Sequence, residues 1–294
     1  MYNWYFEYLK QNEPEKVLSK IGVILRKWIN PIIRTVAPLT CKYKLVFVKK
    51  TKLPKGRPLI FAPTHGFKDD ILFTVVTITI HAYLLFGSLP AFFHSFEGVL
   101  AWLNGVVLVD RTNKESRKAA KRKMKKVIEL GDNLIVFPEG VWNKTENLLV
   151  QKLFPGIYDV AKETGALVVP LATVLEGGKV YSSMGEPFDV AVYDRAEGLA
   201  ELRDRMCTLR YEIMEQYCTC TRKELLQEKT QKEYWHDYIE GLISEVQCYD
   251  REVEDNAHFR EKGVYSAEEV FAPIWALELK RENAFLLDKR ISGR

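Results

Sequence analysis

The sequence lacks several features that would place it in a class at once. Its 43 Lys and Arg residues nearly balance its 39 Asp and Glu residues. The resulting net charge of +4 is too small to indicate nucleic-acid binding. Five cysteines are an odd number and give no paired framework, and the aromatic first ten residues do not resemble a secretory signal. We therefore predict reduced cysteines on the cytosolic side of the cell.

Metal ligands and membrane spans are also missing from the pattern. Cys218 and Cys220 are separated by one residue and lack the second ligand pair of a zinc site, so we expect no bound metal. The uncharged run 71–93 is long enough to cross a bilayer, but His81 interrupts it and the stretch 87–90 has turn chemistry. We predict a buried helix and then a strand in this run.

The N-terminal segment, residues 1–40, is rich in apolar residues at helical spacing. After an aromatic opening, apolar residues recur from Val17 to Trp28 with lysines and arginines between them. Such a segment can lie in the plane of a membrane interface, which predicts a peripheral protein on the cytoplasmic face of the membrane. The alternative is that the apolar stripe packs on the core.

Apolar strands alternate with helices in the middle of the chain. The predicted strands are 43–49, 59–62, 82–86, 105–109, 134–137 and 166–171. One predicted helix begins near residue 69 or 70, and two others cover 116–130 and 156–164. This alternation predicts an α/β fold with a mainly parallel central sheet flanked by helices. We divide the chain into the N-terminal segment, an α/β core (41–195) and a helical C-terminal region (196–294) that completes the core or is appended to it.

Three polar loops directly follow predicted strands. They contain His65 to Asp70, Asp110-Arg111, and Pro138-Glu139-Gly140. Because ligands bind beyond the carboxyl ends of parallel strands, all three loops are expected at one ligand-binding edge of the sheet.

The first of these loops has the residues of a general base. A neutral imidazole removes a hydroxyl proton efficiently near neutral pH, and a carboxylate on its second nitrogen orients the ring. With Asp70 in the first helical turn, its side chain can reach His65. The alternatives are that Asp69 or Asp70 only caps the helix, and that His65 is a structural core histidine. No Gly-x-Ser-x-Gly motif or cysteine lies in a comparable loop, so we expect direct attack by an acceptor without a covalent enzyme intermediate.

The other two loops contain candidate binding residues. Arg111 offers a planar fork for phosphate, Glu139 suits an acceptor hydroxyl, and Gly140 lets the backbone approach a ligand closely. The alternatives are a surface ion pair of Arg111 with a neighbouring acid and an ordinary Pro-Glu-Gly turn.

Four blocks together resemble the glycerolipid acyltransferase family, of the 1-acylglycerol-3-phosphate or lysophospholipid acyltransferase type. They are His65-x4-Asp70, Gly105 to Arg111, Phe137 to Gly140, and Val168-Val169-Pro170, and the resemblance covers about residues 45–190. It implies that His65 is the base and Asp70 its partner, and that Arg111, Glu139 and Gly140 help to bind the acceptor. It also implies membrane-docking N-terminal helices, a lysolipid acceptor, and an acyl-CoA or acyl carrier protein thioester as donor, with no bound cofactor.

The third block departs from the family pattern. The family usually continues with Thr-Arg-Ser after the glycine, whereas this chain has Val141-Trp142-Asn143. Lys144 is the candidate replacement for the missing arginine, unless the acceptor has no phosphate monoester. Other possible outcomes are acylation of an amine, hydrolysis of a thioester or lysolipid by the same pair, and a non-catalytic lipid-binding protein. The basic segment 114–126 could contact CoA phosphates, an acidic carrier protein or anionic headgroups, or be a solvated face.

Overall fold

A computed structural model describes residues 14–87, 96–111, 113–145, 148–218 and 231–244, together with Glu224 and Glu278. The helices of these residues are α1 (Pro14–Val17), α2 (Lys20–Val36), α3 (Asp70–Ile78), α4 (Phe96–Asn104), α5 (Lys114–Glu129), α6 (Gly156–Thr164), α7 (Arg195–Tyr217) and α8 (Gln231–Ser244). The strands are β1 (Lys44–Lys49), β2 (Leu59–Pro63), β3 (Tyr83–Phe86), β4 (Val106–Leu108), β5 (Leu134–Ile135), β6 (Leu167–Glu176) and β7 (Lys179–Met184). Short 3-10 helices cover Ala37–Thr40 and Val190–Val192.

The strands of the described residues form one sheet in the order β1-β7-β6-β2-β5-β3-β4. Strands β6, β2, β5, β3 and β4 run parallel to one another. Strand β7 is antiparallel to β6 and parallel to β1, so this pair runs the opposite way. The predicted α/β fold with a mainly parallel sheet and flanking helices is confirmed.

Strand β2 shows how helices cover both faces of the sheet. Its side chains alternate: Ile60 and Ala62 pack into one core cluster with residues of α5, α6 and α7, and Leu59 and Phe61 pack into a second cluster with residues of α3. All four are fully buried. A strand that is apolar on both faces suits this central position.

Helix α7, which follows the sheet in the chain, belongs to the packed core. Leu209 and Ile213 of α7 cluster with Ala172 and Val174 of β6. Part of the predicted helical C-terminal region therefore completes the core. Beyond residue 244, Glu278 alone among the residues of this predicted helical region is described, and the division into three segments stays a prediction.

Helix α2 is attached to the α/β core by polar contacts. Asn30 donates to Asn104 of α4 at 3.0 Å within the interior, and Lys27 donates to the carbonyl of Gly131 at 2.7 Å. Of the helices in the described ranges, none combines the length and the apolar character that a membrane crossing needs.

Candidate active site

His65 and Asp70 contact each other at the carboxyl end of β2. The Nδ1 atom of His65 is 2.9 Å from Oδ2 of Asp70. The Asp70 side chain has no exposed area, whereas 15% of the His65 side chain is exposed. Because an ionised carboxylate can only accept, Nδ1 donates, and the neutral imidazole has its lone pair on Nε2. This is the protonation pattern of a general base.

The surrounding backbone fixes the position of Asp70. Its Oδ2 atom also accepts from the backbone N–H groups of Gly66 at 2.8 Å and Phe67 at 3.2 Å. Asp70 is the first residue of α3, where the helix dipole favours a negative charge. Asp69 occupies the N-cap position but forms no capping hydrogen bond with its side chain. The capping alternative therefore does not account for Asp70, whose carboxylate is directed at the His65 loop.

Glu139 holds the His65 loop to the third loop. Its Oε1 accepts from the backbone N–H of His65 at 2.9 Å, and its Oε2 accepts from the N–H of Gln151 at 2.8 Å. The His65 carbonyl in turn accepts from the backbone N–H of Asn143 at 2.8 Å. Burial raises the pKa of the Glu139 carboxyl, and the two N–H donors and the charge of Arg210 oppose that rise. These contacts give Glu139 a positioning role, and its contact with an acceptor hydroxyl stays a prediction.

Arg111 joins the second loop to the third. Its guanidinium donates to the carbonyl of Gly140. Gly140 has a φ of +71°, and a Cβ at this position would lie 2.3 Å from the ring of Phe154. The glycine is therefore required by both the backbone conformation and the packing. The structure thus places Arg111 and Gly140 in contact. Their predicted roles in binding the acceptor stay predictions.

Aromatic rings surround the imidazole of His65. The ring centroid of Phe137 lies 4.5 Å from that of His65, and Trp142 lies edge-on at 6.2 Å. Trp142, which stands where the family pattern has an arginine, therefore lies beside the imidazole of His65. Lys144 lies farther along the same loop, and its carbonyl accepts from Nε1 of Trp235 in α8 at 3.0 Å.

The sequence pattern did not reveal Arg210, which α7 brings to the site. Its Nη2 atom lies 3.9 Å from the point that a Cβ on Gly66 would occupy, one residue from His65. Its Nη1 atom donates to the carbonyl of Leu149 at 2.7 Å. Arg210 is 145 residues after His65, and no local motif marks it.

The basic helix α5 begins beside the second loop. Asn113 caps it by accepting from the N–H groups of Glu115 and Ser116. Lys121 and Lys125 form ion pairs with Glu163 of α6, so part of the basic face is neutralised within the protein. Within the described ranges, no group of three or more His, Cys, Asp or Glu side chains could hold a metal ion.

The three loops lie in a part of the chain that matches a known protein family. Residues 44–174 match the family model described as Acyltransferase. This region of the chain is an acyltransferase domain. The matched range includes His65, Asp70, Arg111, Glu139 and Gly140, whose predicted roles stay predictions. The predictions of this family and of an acyltransferase enzyme are confirmed.

A solved structure supports the fold of this acyltransferase. The chain is similar to the 1-acyl-sn-glycerophosphate (LPA) acyltransferase PlsC from Thermotoga maritima, with a TM-score of 0.52 and 18% identity. The similarity covers 67% of this chain and 83% of that chain. No curated protein sequence matches the chain.

Proposed function

We propose that this acyltransferase moves a fatty acyl group from a thioester to the hydroxyl of a lysophospholipid, in phospholipid biosynthesis. The observation that carries the proposal is the His65–Asp70 pair within an acyltransferase domain. The structural similarity to an LPA acyltransferase supports a lysophosphatidate-like acceptor.

In the proposed reaction, Nε2 of His65 takes the proton of the acceptor hydroxyl as its oxygen attacks the thioester carbonyl. The C–S bond then breaks, the acyl group remains on the acceptor oxygen, and the thiolate leaves. The buried carboxylate of Asp70 stabilises the imidazolium, which returns its proton to the thiolate. No acyl group is attached to the protein at any step.

The donor is proposed to be acyl-CoA or an acyl carrier protein thioester, with no resident cofactor. Helix α5 supports either donor, because it begins beside Arg111 and presents lysines and arginines on its exposed side. The phosphates of CoA and the acidic surface of a carrier protein would both be attracted to it.

Membrane association is proposed from the apolar surface of α2. Its outer face, opposite the buried Val23 and Ile33, exposes large apolar side chains instead of polar ones. These side chains, with their exposed fractions, are Ile21 (72%), Ile24 (46%), Leu25 (57%), Trp28 (78%) and Ile32 (63%). Val99 and Trp102 of the adjoining α4 are also exposed. A continuous apolar patch of this kind fits the acyl region of a bilayer, with basic residues at the headgroups.

Product analysis tests the proposed reaction. The purified protein is incubated with palmitoyl-CoA, or with palmitoyl carrier protein, and one acceptor at a time: lysophosphatidate, lysophosphatidylcholine, monoacylglycerol or a primary amine. Mass spectrometry is expected to detect phosphatidate from lysophosphatidate as the main product. Free palmitate alone would indicate hydrolysis, an amide would indicate an N-acyltransferase, and unchanged thioester with all acceptors would contradict catalysis.

A further inference from the structure

We propose that Arg210 of α7 is the anchor for the phosphate of the acceptor. The inference deepens the proposed function, since it assigns the acceptor headgroup to a residue outside the matched acyltransferase region. It rests on the position of the guanidinium, its unused donors and the lack of an acidic partner.

The guanidinium is held beside the proposed base. The hydrogen bond from Nη1 to the Leu149 carbonyl fixes one edge of the group, and Nη2 lies next to Gly66. Gly66 has no side chain to block this approach: among the described residues, apart from its neighbours in the chain, the atom nearest to a Cβ built there is Nη2 of Arg210 at 3.9 Å. In this arrangement, one acceptor headgroup places its glycerol hydroxyl at His65 and its phosphate at Arg210.

Two of the three guanidinium nitrogens have unused donors. Nε is buried and has no hydrogen-bond partner, and Nη2 forms no hydrogen bond within the described ranges. Leaving charged donors unpaired away from water is costly, so such groups are satisfied by ordered water, an ion or a ligand, and a bound phosphate would satisfy these two. Nε and Nη2 form one edge of the planar fork, which matches two oxygens of a phosphate.

The positive charge of Arg210 is not neutralised by contact. Within the part of the chain described here, no carboxylate lies within 4.0 Å of it. The buried Glu139 feels its charge, which acts to lower the pKa of that carboxyl, but both Glu139 oxygens are bonded to backbone N–H groups. The guanidinium therefore retains its attraction for an anion.

The third loop supplies no arginine of its own. Val141 is buried, and the side chain of the buried Asn143 is bonded to Thr145 and to the carbonyls of Leu148 and Leu149. Arg210 thus brings a planar cation to the His65 loop from α7, a helix that follows the sheet in the chain.

Arg210→Gln tests the anchor, with Arg203→Gln as the matched control. Arg203 lies two turns earlier on the same helix and donates from Nε to the carbonyl of Val150, so both variants lose a similar backbone contact. We measure kcat/KM for lysophosphatidate and for monoacylglycerol, which lacks the phosphate. Arg210→Gln should lower the ratio of these two values by about 10- to 100-fold, the usual effect of losing hydrogen bonds to a charged group. Arg203→Gln should leave the ratio unchanged.

The donor and the headgroup are tested separately. A rise in the KM for palmitoyl-CoA, with an unchanged acceptor ratio, would place Arg210 at the donor phosphates and overturn the proposal. Equal losses for both acceptors would show a purely structural role and would also overturn it. If Arg210→Gln fails to fold, Arg210→Lys keeps the charge and the aliphatic stem but loses the fork, and should still lower the ratio.

Binding of glycerol 3-phosphate separates this inference from the proposed reaction. Calorimetry on the intact protein should show weaker binding in Arg210→Gln than in the wild type by the same factor as the activity ratio, and no change in Arg203→Gln. If the wild type transfers no acyl group but shows this pattern, the proposed reaction fails and the phosphate anchor stands. Equal binding by wild type and Arg210→Gln would overturn the anchor whatever the activity.

Discussion

The described residues include two histidine–carboxylate pairs, which differ in burial and in their place in the fold. His81 places Nδ1 at 2.7 Å from Asp132 and Nε2 at 2.5 Å from the carbonyl oxygen of Asn104. Both nitrogens thus face protein acceptors, and only 3% of the side chain is exposed. The side chain of His65 is 15% exposed and lies at the edge of the sheet where ligands bind. His81 is therefore structural, and His65 has the arrangement of a base.

Asp70→Asn tests the orientation of the base. The amide keeps the shape of the carboxylate, and its oxygen can still accept from the three donors that meet Oδ2, but it has no negative charge to stabilise an imidazolium. We expect kcat to fall by about 10²- to 10⁴-fold, the range of general-base effects. Asp69→Asn is the control, since Asp69 provides no side-chain cap and should keep the wild-type kcat. Equal rates in Asp70→Asn and wild type would contradict the assigned role.

His81→Phe tests the structural pair. The variant leaves the buried carboxylate of Asp132 without its imidazole partner, so we expect a loss of about 3–5 kcal/mol in the free energy of unfolding. Urea denaturation measures this value. The exposed His236 of α8 provides the control, because His236→Phe should change the free energy by less than about 0.5 kcal/mol. A similarly small effect at His81 would show that the pair contributes little to the fold.

Glu139 predicts a pH dependence of stability. Burial raises the pKa of its carboxyl in the folded protein. The folded state therefore binds the proton more tightly than the unfolded chain, and the stabilising contribution is complete below the unfolded-state pKa of about 4.3. It is lost as the pH rises through the raised folded-state pKa. Urea unfolding across this window should show the stability of the wild type falling relative to Glu139→Gln with increasing pH; a constant difference would contradict the raised pKa.

At the scale of elements, the strands and their loops were the most predictable features. Short apolar runs followed by polar residues marked β2, β4 and β5, because a strand buried on both faces needs such a sequence. Strand β7, which lies between β1 and β6, was missed, although Gly177 and Gly178 have φ values of +54° and +74° and form a two-residue hairpin turn. Helix α4 was missed as well, since the apolar run around it has no clear helical period.

Arg210 shows why part of the site could not be predicted. Each of the three polar loops directly follows an apolar strand, so the local sequence was enough to predict that their residues lie at the ligand-binding edge of the sheet. Arg210 reaches the same edge only because Leu202, Met206, Leu209 and Ile213 pack α7 on the sheet. Its place depends on tertiary packing, which no local pattern in the sequence encodes.

The outer face of α2 gives a prediction at the level of one helix. Replacing Trp28 and Ile32 together by Asp removes two large side chains from the proposed lipid contact, each worth about 1.5–3 kcal/mol when buried. The affinity for anionic phospholipid vesicles, measured by co-sedimentation, should fall by more than about tenfold, as expected for this free energy. Val192→Asp is the control, because Val192 is 74% exposed but lies outside this face. Unchanged sedimentation of the double variant would remove the membrane-docking proposal.

For the whole molecule, the parallel sheet explains how distant segments form one site. Strands β2, β4 and β5 end at the same edge, and hydrogen bonds then join their loops: Glu139 to His65, Asn143 to His65, and Arg111 to Gly140. Helix α7 adds Arg210, whose Nη2 atom lies beside Gly66. The site is thus built by topology, and its chemistry resides in a few side chains within that frame.

The most direct test of the account is the rate of acyl transfer by His65→Ala. The wild type and the variant are compared with palmitoyl-CoA and lysophosphatidate, after circular dichroism has shown that both are folded. We expect His65→Ala to lower kcat by at least about 10²-fold, the effect of losing a general base, and to retain the binding of glycerol 3-phosphate. A folded His65→Ala variant that forms phosphatidate at the wild-type rate would contradict the central claim.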